Sequence, residues 1–185
     1  MFIQDTSIPG VKIVELDRKA DERGFFARGW CTKEFAAAGL CERIVQMNIS
    51  VNRHRHTLRG FHYQLAPYQE DKLLRCVRGR ICDALVDLRP DSPTYLKHIT
   101  VDLSAENFRM LVVPKGCANA FLTLEDGTEV TYLVSEFYTP AAERGLRWDD
   151  PALNVHWPAD PAVISDKDRA WPDYVPSRLP VPMSA

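Results

Sequence analysis

The sequence predicts an all-β fold, a double-sheet jelly roll with one short N-terminal helix and an irregular C-terminal segment. Short runs rich in β-branched and aromatic residues follow one another from residue 45 to residue 138. Turn chemistry separates them, as in Arg78-Gly79, Arg89-Pro90-Asp91-Ser92-Pro93, Pro114-Lys115-Gly116 and Glu125-Asp126-Gly127. Thirteen prolines and nine glycines, with no long amphipathic heptad pattern, point away from a helical body.

Each element follows from local chemistry. Residues 11–16 alternate as a first strand would, and Asp21-Glu22-Arg23-Gly24 supplies a turn before Phe25-Phe26. A helix is expected over 32–38, with Thr32 as its cap and Gly39 ending it. Strands are expected over 45–51, 57–64, 72–77, 80–88, 96–103, 109–113, 120–124 and 129–138. From Pro140 the chain is rich in Pro, Asp and Trp with little periodicity, which reads as a wrapping segment with an extended, proline-rich end between Pro172 and Pro182. At 185 residues and 45% hydrophobic, the whole of 1–185 is expected to form one domain around one core.

Composition excludes several function classes. Lysine and arginine total 23 against 25 acidic residues, a net charge of -2, so no overall positive field is present to hold a nucleic acid. The first residues lack a basic start followed by an apolar stretch, and no apolar run is long enough for a membrane span. A soluble, cytoplasmic protein with neither nucleic-acid nor membrane partners is expected. Five cysteines with no CxxC pair argue against a disulfide framework and a thiolate zinc site.

Chemistry is sought first among the histidines, which titrate near neutrality. His54-Arg55-His56 has the first half of a metal-binding jelly-roll pattern, two histidines spaced by one residue. The rest of that pattern is missing: no Glu follows closely, and the later turn reads Gly116-Cys117-Ala118-Asn119-Ala120-Phe121. A solvated loop is the other reading of His54 and His56. In Leu58-Arg59-Gly60-Phe61-His62-Tyr63-Gln64, strict alternation puts Leu58, Gly60, His62 and Gln64 on one face and Arg59, Phe61 and Tyr63 on the other. An inward His62 needs a hydrogen-bond partner; a carboxylate there would make it a base, and any other partner leaves it structural.

Longer stretches carry a resemblance. Asp21 to Phe26, Leu58 to Gln64, Asp71 to Ile81, Asp87 to Tyr95, Leu103 to Asn107, Val113 to Gly116, Tyr132, Glu143 to Pro151, His156-Trp157-Pro158 and Ile164 to Asp168 stand here in an order that closely resembles the dTDP-4-dehydrorhamnose 3,5-epimerase family. The resemblance spans nearly the whole chain. It implies a cupin jelly roll (a double-stranded β-helix), a homodimer, no metal and no cofactor, and epimerisation beside the keto group of a nucleotide-linked 4-keto-6-deoxyhexose. By the same resemblance His62 is the base, Asp168 its orienting carboxylate, Lys72 the stabiliser of enolate charge and Tyr132 the acid on the opposite face. Arg23 and Arg59 match positions that bind the diphosphate, Phe25, Gln46, Asn48 and Tyr138 match the nucleoside region, and the Arg23 segment of one subunit helps complete its neighbour's site.

Two positions depart from the family pattern. Arg28 stands where the run Arg-Gly-x-Phe-x-Glu has its acid, replacing an acceptor with five donors and leaving the nucleotide base open. Asn119 stands where a histidine is usual; its amide can bind substrate but cannot titrate near neutrality. Inversion at one of carbons 3 and 5 instead of both, and a catalytically silent cupin that binds a nucleotide sugar, are therefore alternatives to the double epimerase.

Overall fold

A computed structural model describes residues 1–176 of the chain, so the last of the proline-rich end lies outside the described residues. The strands are β1 (Phe2–Asp5), β2 (Lys12–Glu15), β3 (Lys19–Asp21), β4 (Gly24–Phe26), β5 (Gln46–Asn52), β6 (Thr57–Gln64), β7 (Lys72–Arg78), β8 (Arg80–Asp87), β9 (His98–Ser104), β10 (Met110–Val113), β11 (Cys117–Thr123), β12 (Thr128–Val134), β13 (Glu143–Gly145) and β14 (Val163–Ile164). Among the described residues two α-helices, α1 (Thr32–Ala37) and α2 (Asp166–Arg169), and a 3-10 turn over Pro140–Ala142 accompany them. One six-stranded sheet runs β1-β2-β10-β7-β12-β5; the facing sheet runs β13-β6-β11-β8-β9, with β14 added parallel to β6. The expected all-β jelly roll is what forms.

Between the sheets lies a core drawn from both: Leu74, Cys76, Leu111, Val113 and Val130 from the first, Ile81, Leu85, Leu103 and Phe121 from the second. Each outer face has its own cover. Phe35 of α1 packs with Leu73, Met110 and Val112 on the back of the first sheet. The irregular C-terminal segment brings Leu146, Leu153, Trp157 and Tyr174 onto the back of the second, around Phe61. Its register is held by polar contacts, Trp157 Nε1 to the carbonyl of Trp148 (3.0 Å) and Tyr174 to Tyr95 through their hydroxyls (2.9 Å). The wrapping role expected of this segment is thereby seen from Leu146 to Tyr174.

Several boundaries differ from expectation. Strand β1 was not foreseen, and β12 stops at Val134, which leaves Tyr138 on a loop. Thr32 is the first residue of α1 and caps nothing; Cys31 occupies the cap position without a side-chain bond. Gly39 does end the helix. It sits at φ +67°, and the Gly39 and Leu40 amides return to the carbonyls of Ala36 (3.0 Å) and Phe35 (2.9 Å), the paired bonds of a left-handed helix stop.

The alternation read into β6 is broken at Gly60. Across β11, Asn119 pairs with His62 while Phe121 pairs with Arg59, so Gly60 and Phe61 of β6 stand opposite the single residue Ala120 of β11. That β-bulge turns Arg59 and His62, placed on opposite faces by strict alternation, toward the same cavity, and buries Phe61 on the outer side. Glycine is required at the bulge: φ is +107°, and a Cβ would stand 2.6 Å from the Asn119 carbonyl oxygen and 2.8 Å from Ala120 Cα, both backbone atoms. Gly60→Ala should cost about 2 kcal/mol or more, read as a lowered denaturation midpoint, because neither strain nor overlap can be relieved by a side-chain rotation.

Candidate active site

A cavity of about 600 Å³ opens between the two sheets. Its floor and one wall are set by register. Lys72 and Leu74 on β7 lie beside Val134 and Tyr132 on β12, which in turn lie beside Gln46 and Asn48 on β5. The two-residue period then sends Lys72, Tyr132, Gln46 and Asn48 into the cavity and leaves Met47, Ile49 and Val51 exposed, Ile49 and Val51 at the cavity's edge. The opposite wall comes from β6, β11 and β13, carrying Arg59, His62, Gln64, Asn119 and Glu143, with α2 supplying Lys167 and Asp168.

His62 and Asp168 meet as the resemblance implied, with Nε2 2.7 Å from Oδ1. Asp168 is buried and His62 is half-buried. The other carboxylate oxygen accepts from the Gly60 amide (3.3 Å), and the Asp168 amide is bound by the Ser165 side chain that caps α2 (3.1 Å). Burial pushes the Asp168 carboxyl up, but the bonds from His62, Gly60 and Ser165 outweigh it and hold the group below the ordinary carboxylate range. An ionised Asp168 accepts the hydrogen bond of Nε2–H, and in that tautomer Nδ1 is the nitrogen free to take a proton.

Lys72 is buried, and its ammonium donates to the His62 carbonyl (3.0 Å) and to Asn119 Oδ1 (3.1 Å), with Glu70 at 3.5 Å. Burial lowers its pKa, opposed by the charges of Glu70, Asp83 and Glu143. Tyr132, two-thirds of the way along β12, has its phenol pushed up by burial, so it keeps its proton. Arg59 donates through Nε to Asn52 Oδ1 (2.7 Å), which anchors the guanidinium while its terminal nitrogens have no partner among the described residues. Gln46 Oε1 accepts from the Tyr138 amide (2.8 Å), fixing the loop that carries Tyr138 at the mouth.

Nine of the eleven expected site residues thus line one cavity: His62, Asp168, Lys72, Tyr132, Arg59, Gln46, Asn48, Asn119 and Tyr138. Arg23 and Phe25 do not join them within the chain. Both lie on the β3–β4 hairpin, whose strands are exposed throughout. Arg23 is paired with Asp21 (2.5 Å), and Phe25 stacks edge-on against Phe108 with ring centroids 4.9 Å apart. Arg28 bonds Glu34 at 3.1 Å, away from the cavity.

Five charged residues at the site were not singled out from sequence: Glu70, Asp83, Glu136, Glu143 and Lys167. Glu143 receives bonds from the Tyr138 hydroxyl and the Lys167 ammonium, each at 2.6 Å, and those bonds together with the nearby cations hold its carboxyl low against its burial. Glu70 sits beside Lys72, and Asp83 lies behind Asn119. Asp83 carried a visible signal, a lone acid inside the apolar run from Ile81 to Val86. His54 and Arg55 are exposed, and no group of three or more potential metal ligands occurs among the described residues, which favours the loop reading of His54 and His56.

The family model for dTDP-4-dehydrorhamnose 3,5-epimerase matches residues 5–175. The chain is 44% identical over 169 residues to the dTDP-4-dehydrorhamnose 3,5-epimerase of Shigella flexneri, covering 91% of this chain and 93% of that protein. Among solved structures it resembles the Bacillus anthracis dTDP-4-dehydrorhamnose 3,5-epimerase with TDP and PPi bound, at TM-score 0.89 and 38% identity, over 92% of this chain and 98% of that one. It is also similar to the dTDP-6-deoxy-D-glucose-3,5-epimerase of Legionella pneumophila in complex with dTDP-4-keto-L-rhamnose, at TM-score 0.84 and 36% identity, over 90% of this chain and 89% of that one. With a bound carboxylate–imidazole pair facing a lysine and a tyrosine across one cavity, and with these likenesses running the length of the fold, the chain belongs to the dTDP-4-dehydrorhamnose 3,5-epimerase family of isomerases.

Proposed function

We propose that the protein inverts carbons 3 and 5 of a dTDP-4-keto-6-deoxyhexose, in deoxysugar biosynthesis, with the roles implied by the resemblance. The observation that carries the residue assignment is the His62–Asp168 pair opening on the same cavity as Lys72 and Tyr132. Carbons 3 and 5 flank the C4 ketone, so removing a proton from either gives an enolate with its charge on the same oxygen. His62 Nδ1 takes the proton, and the C–H electrons move into the ring bond as the carbonyl becomes an enolate. Lys72 places its ammonium on that oxygen. Tyr132 delivers its phenolic proton from the opposite face, and the ketone re-forms with the carbon inverted. Product formation tests this directly: NMR of a mixture with dTDP-4-keto-6-deoxyglucose should show the inverted hexulose, and recovery of unchanged sugar would refute it.

Two features support a homodimer. Strand β5 is an edge strand whose alternation is reversed relative to water: its polar residues face the cavity, and Met47, Ile49 and Val51 are more than half exposed. Such a face needs a cover. The β3–β4 hairpin buries little against its own chain, as an arm that reaches a neighbour would. In this reading each chain is one catalytic domain in the cytoplasm, and Arg23 and Phe25 act in the partner's cavity. Coexpressing Arg23→Ala with His62→Ala should then recover activity absent from either variant alone, since one site of the mixed dimer holds both His62 and Arg23. No recovery in a verified mixed dimer would place Arg23 elsewhere.

A further inference from the structure

Lys72 does not stand alone behind the cavity. Its ammonium is bonded to the amide oxygen of Asn119 (3.1 Å), and the amide nitrogen of Asn119 is bonded to Asp83 Oδ2 (3.0 Å). All three side chains are buried, Asp83 completely. The orientation of the amide is forced by chemistry: an ammonium only donates, so the oxygen must face Lys72, and the nitrogen must then find an acceptor deeper in the protein. Asp83 is that acceptor. Its second oxygen, Oδ1, is buried without a partner among the described residues, so Asn119 is the one hydrogen-bond partner of this carboxyl among them.

We propose that Asp83 is a positioning residue for the epimerisation, orienting the Asn119 amide so that its oxygen fixes the Lys72 ammonium at the cavity floor. This rests on the epimerase reading of the site. It also recasts Asn119, whose oxygen is committed to Lys72 and one of whose N–H groups is committed to Asp83, as part of the bridge behind Lys72. Without Asp83 the amide is free to flip and present N–H groups to the ammonium.

The bridge works with Asp83 uncharged. Burial pushes the Asp83 carboxyl up to about 8, against the bond from Asn119 and the charge of Lys72, and a protonated acid still accepts through its carbonyl oxygen. Ionised or protonated, the Asp83 carboxyl accepts the Asn119 N–H, so its titration leaves that bond in place. The other groups facing Lys72 are Glu70, Glu143, the His62–Asp168 pair and Tyr132.

The test compares Asp83→Ala, Asn119→Ala and Asp83→Asn in the full-length protein, with thermal melts to confirm folding. Losing a hydrogen bond to a charged group predicts a fall in kcat of roughly 10- to 100-fold for each alanine variant at nearly constant KM. Asp83→Asn keeps an acceptor oxygen and should restore kcat to within about threefold. In protein labelled with ¹⁵Nζ-lysine, the Lys72 signal should be protected from solvent exchange in the wild type and in Asp83→Asn, and lose that protection in both alanine variants. Wild-type kcat and an unmoved Lys72 signal in the alanine variants would overturn the proposal, as would an Asp83→Asn variant as impaired as Asp83→Ala, which would make charge the operative feature. The lysine signal is read without substrate, so a chain that protects Lys72 as described yet inverts no sugar sinks the epimerase reading and leaves the bridge.

Discussion

His62→Ala lowers the rate of inversion by about 10³-fold, within the range for losing a general base, while the protein stays folded. The expectation of intact folding comes from the surroundings of the residue. His62 is half-buried at a cavity wall, and its neighbours on β11 and β13 are held by backbone pairing that an alanine preserves. What the substitution removes is the basic nitrogen. What it leaves is a buried Asp168 with the Gly60 amide and the α2 cap still bound to it. Inversion and solvent exchange should fall together, because both need the same C–H bond broken. A variant that exchanges at near wild-type rate would remove His62 from the role of base.

Lys72→Met removes the charge that meets the developing oxyanion and should cost roughly 10²- to 10³-fold in kcat, with a smaller change in KM. The methionine has a similar length, but it removes one partner of a buried ion pair, which costs stability because the other charge stays buried. The groups left without their cation are the His62 carbonyl, Glu70, which also accepts from the Gln64 amide, and Asn119, whose nitrogen keeps Asp83. A lowered melting temperature in a chain still folded at the assay temperature, with a deep loss of turnover, is therefore the expected pair of results. A loss confined to KM would make Lys72 a binding residue instead.

Much of this arrangement was legible in the residues before any coordinates. Turn chemistry and composition placed β5 through β12 to within a few residues, because short β-branched and aromatic runs are bounded there by glycine- and proline-bearing turns. The site was legible mainly through resemblance: alternation alone put His62 inward but gave it no partner, since Asp168 is more than a hundred positions away on α2. Arg59 shows where a local rule fails. It was read onto the face opposite His62, and only the extra residue at Gly60 brings the two together; a bulge leaves a glycine in the sequence but does not announce which strand it will be counted against. Asp83 and Glu143 were passed over because an acid's role depends on what closes around it. The place of Arg23 and Phe25 depends on a second chain, which one sequence cannot display.

The most direct measurement is deuterium incorporation by the wild-type protein in ²H₂O with dTDP-4-keto-6-deoxyglucose, followed by NMR at carbons 3 and 5. Proton abstraction through His62, with one ketone serving both carbons, predicts deuterium at both positions together with inversion. Deuterium at one position alone would contradict the double inversion, and deuterium at neither would contradict proton abstraction itself.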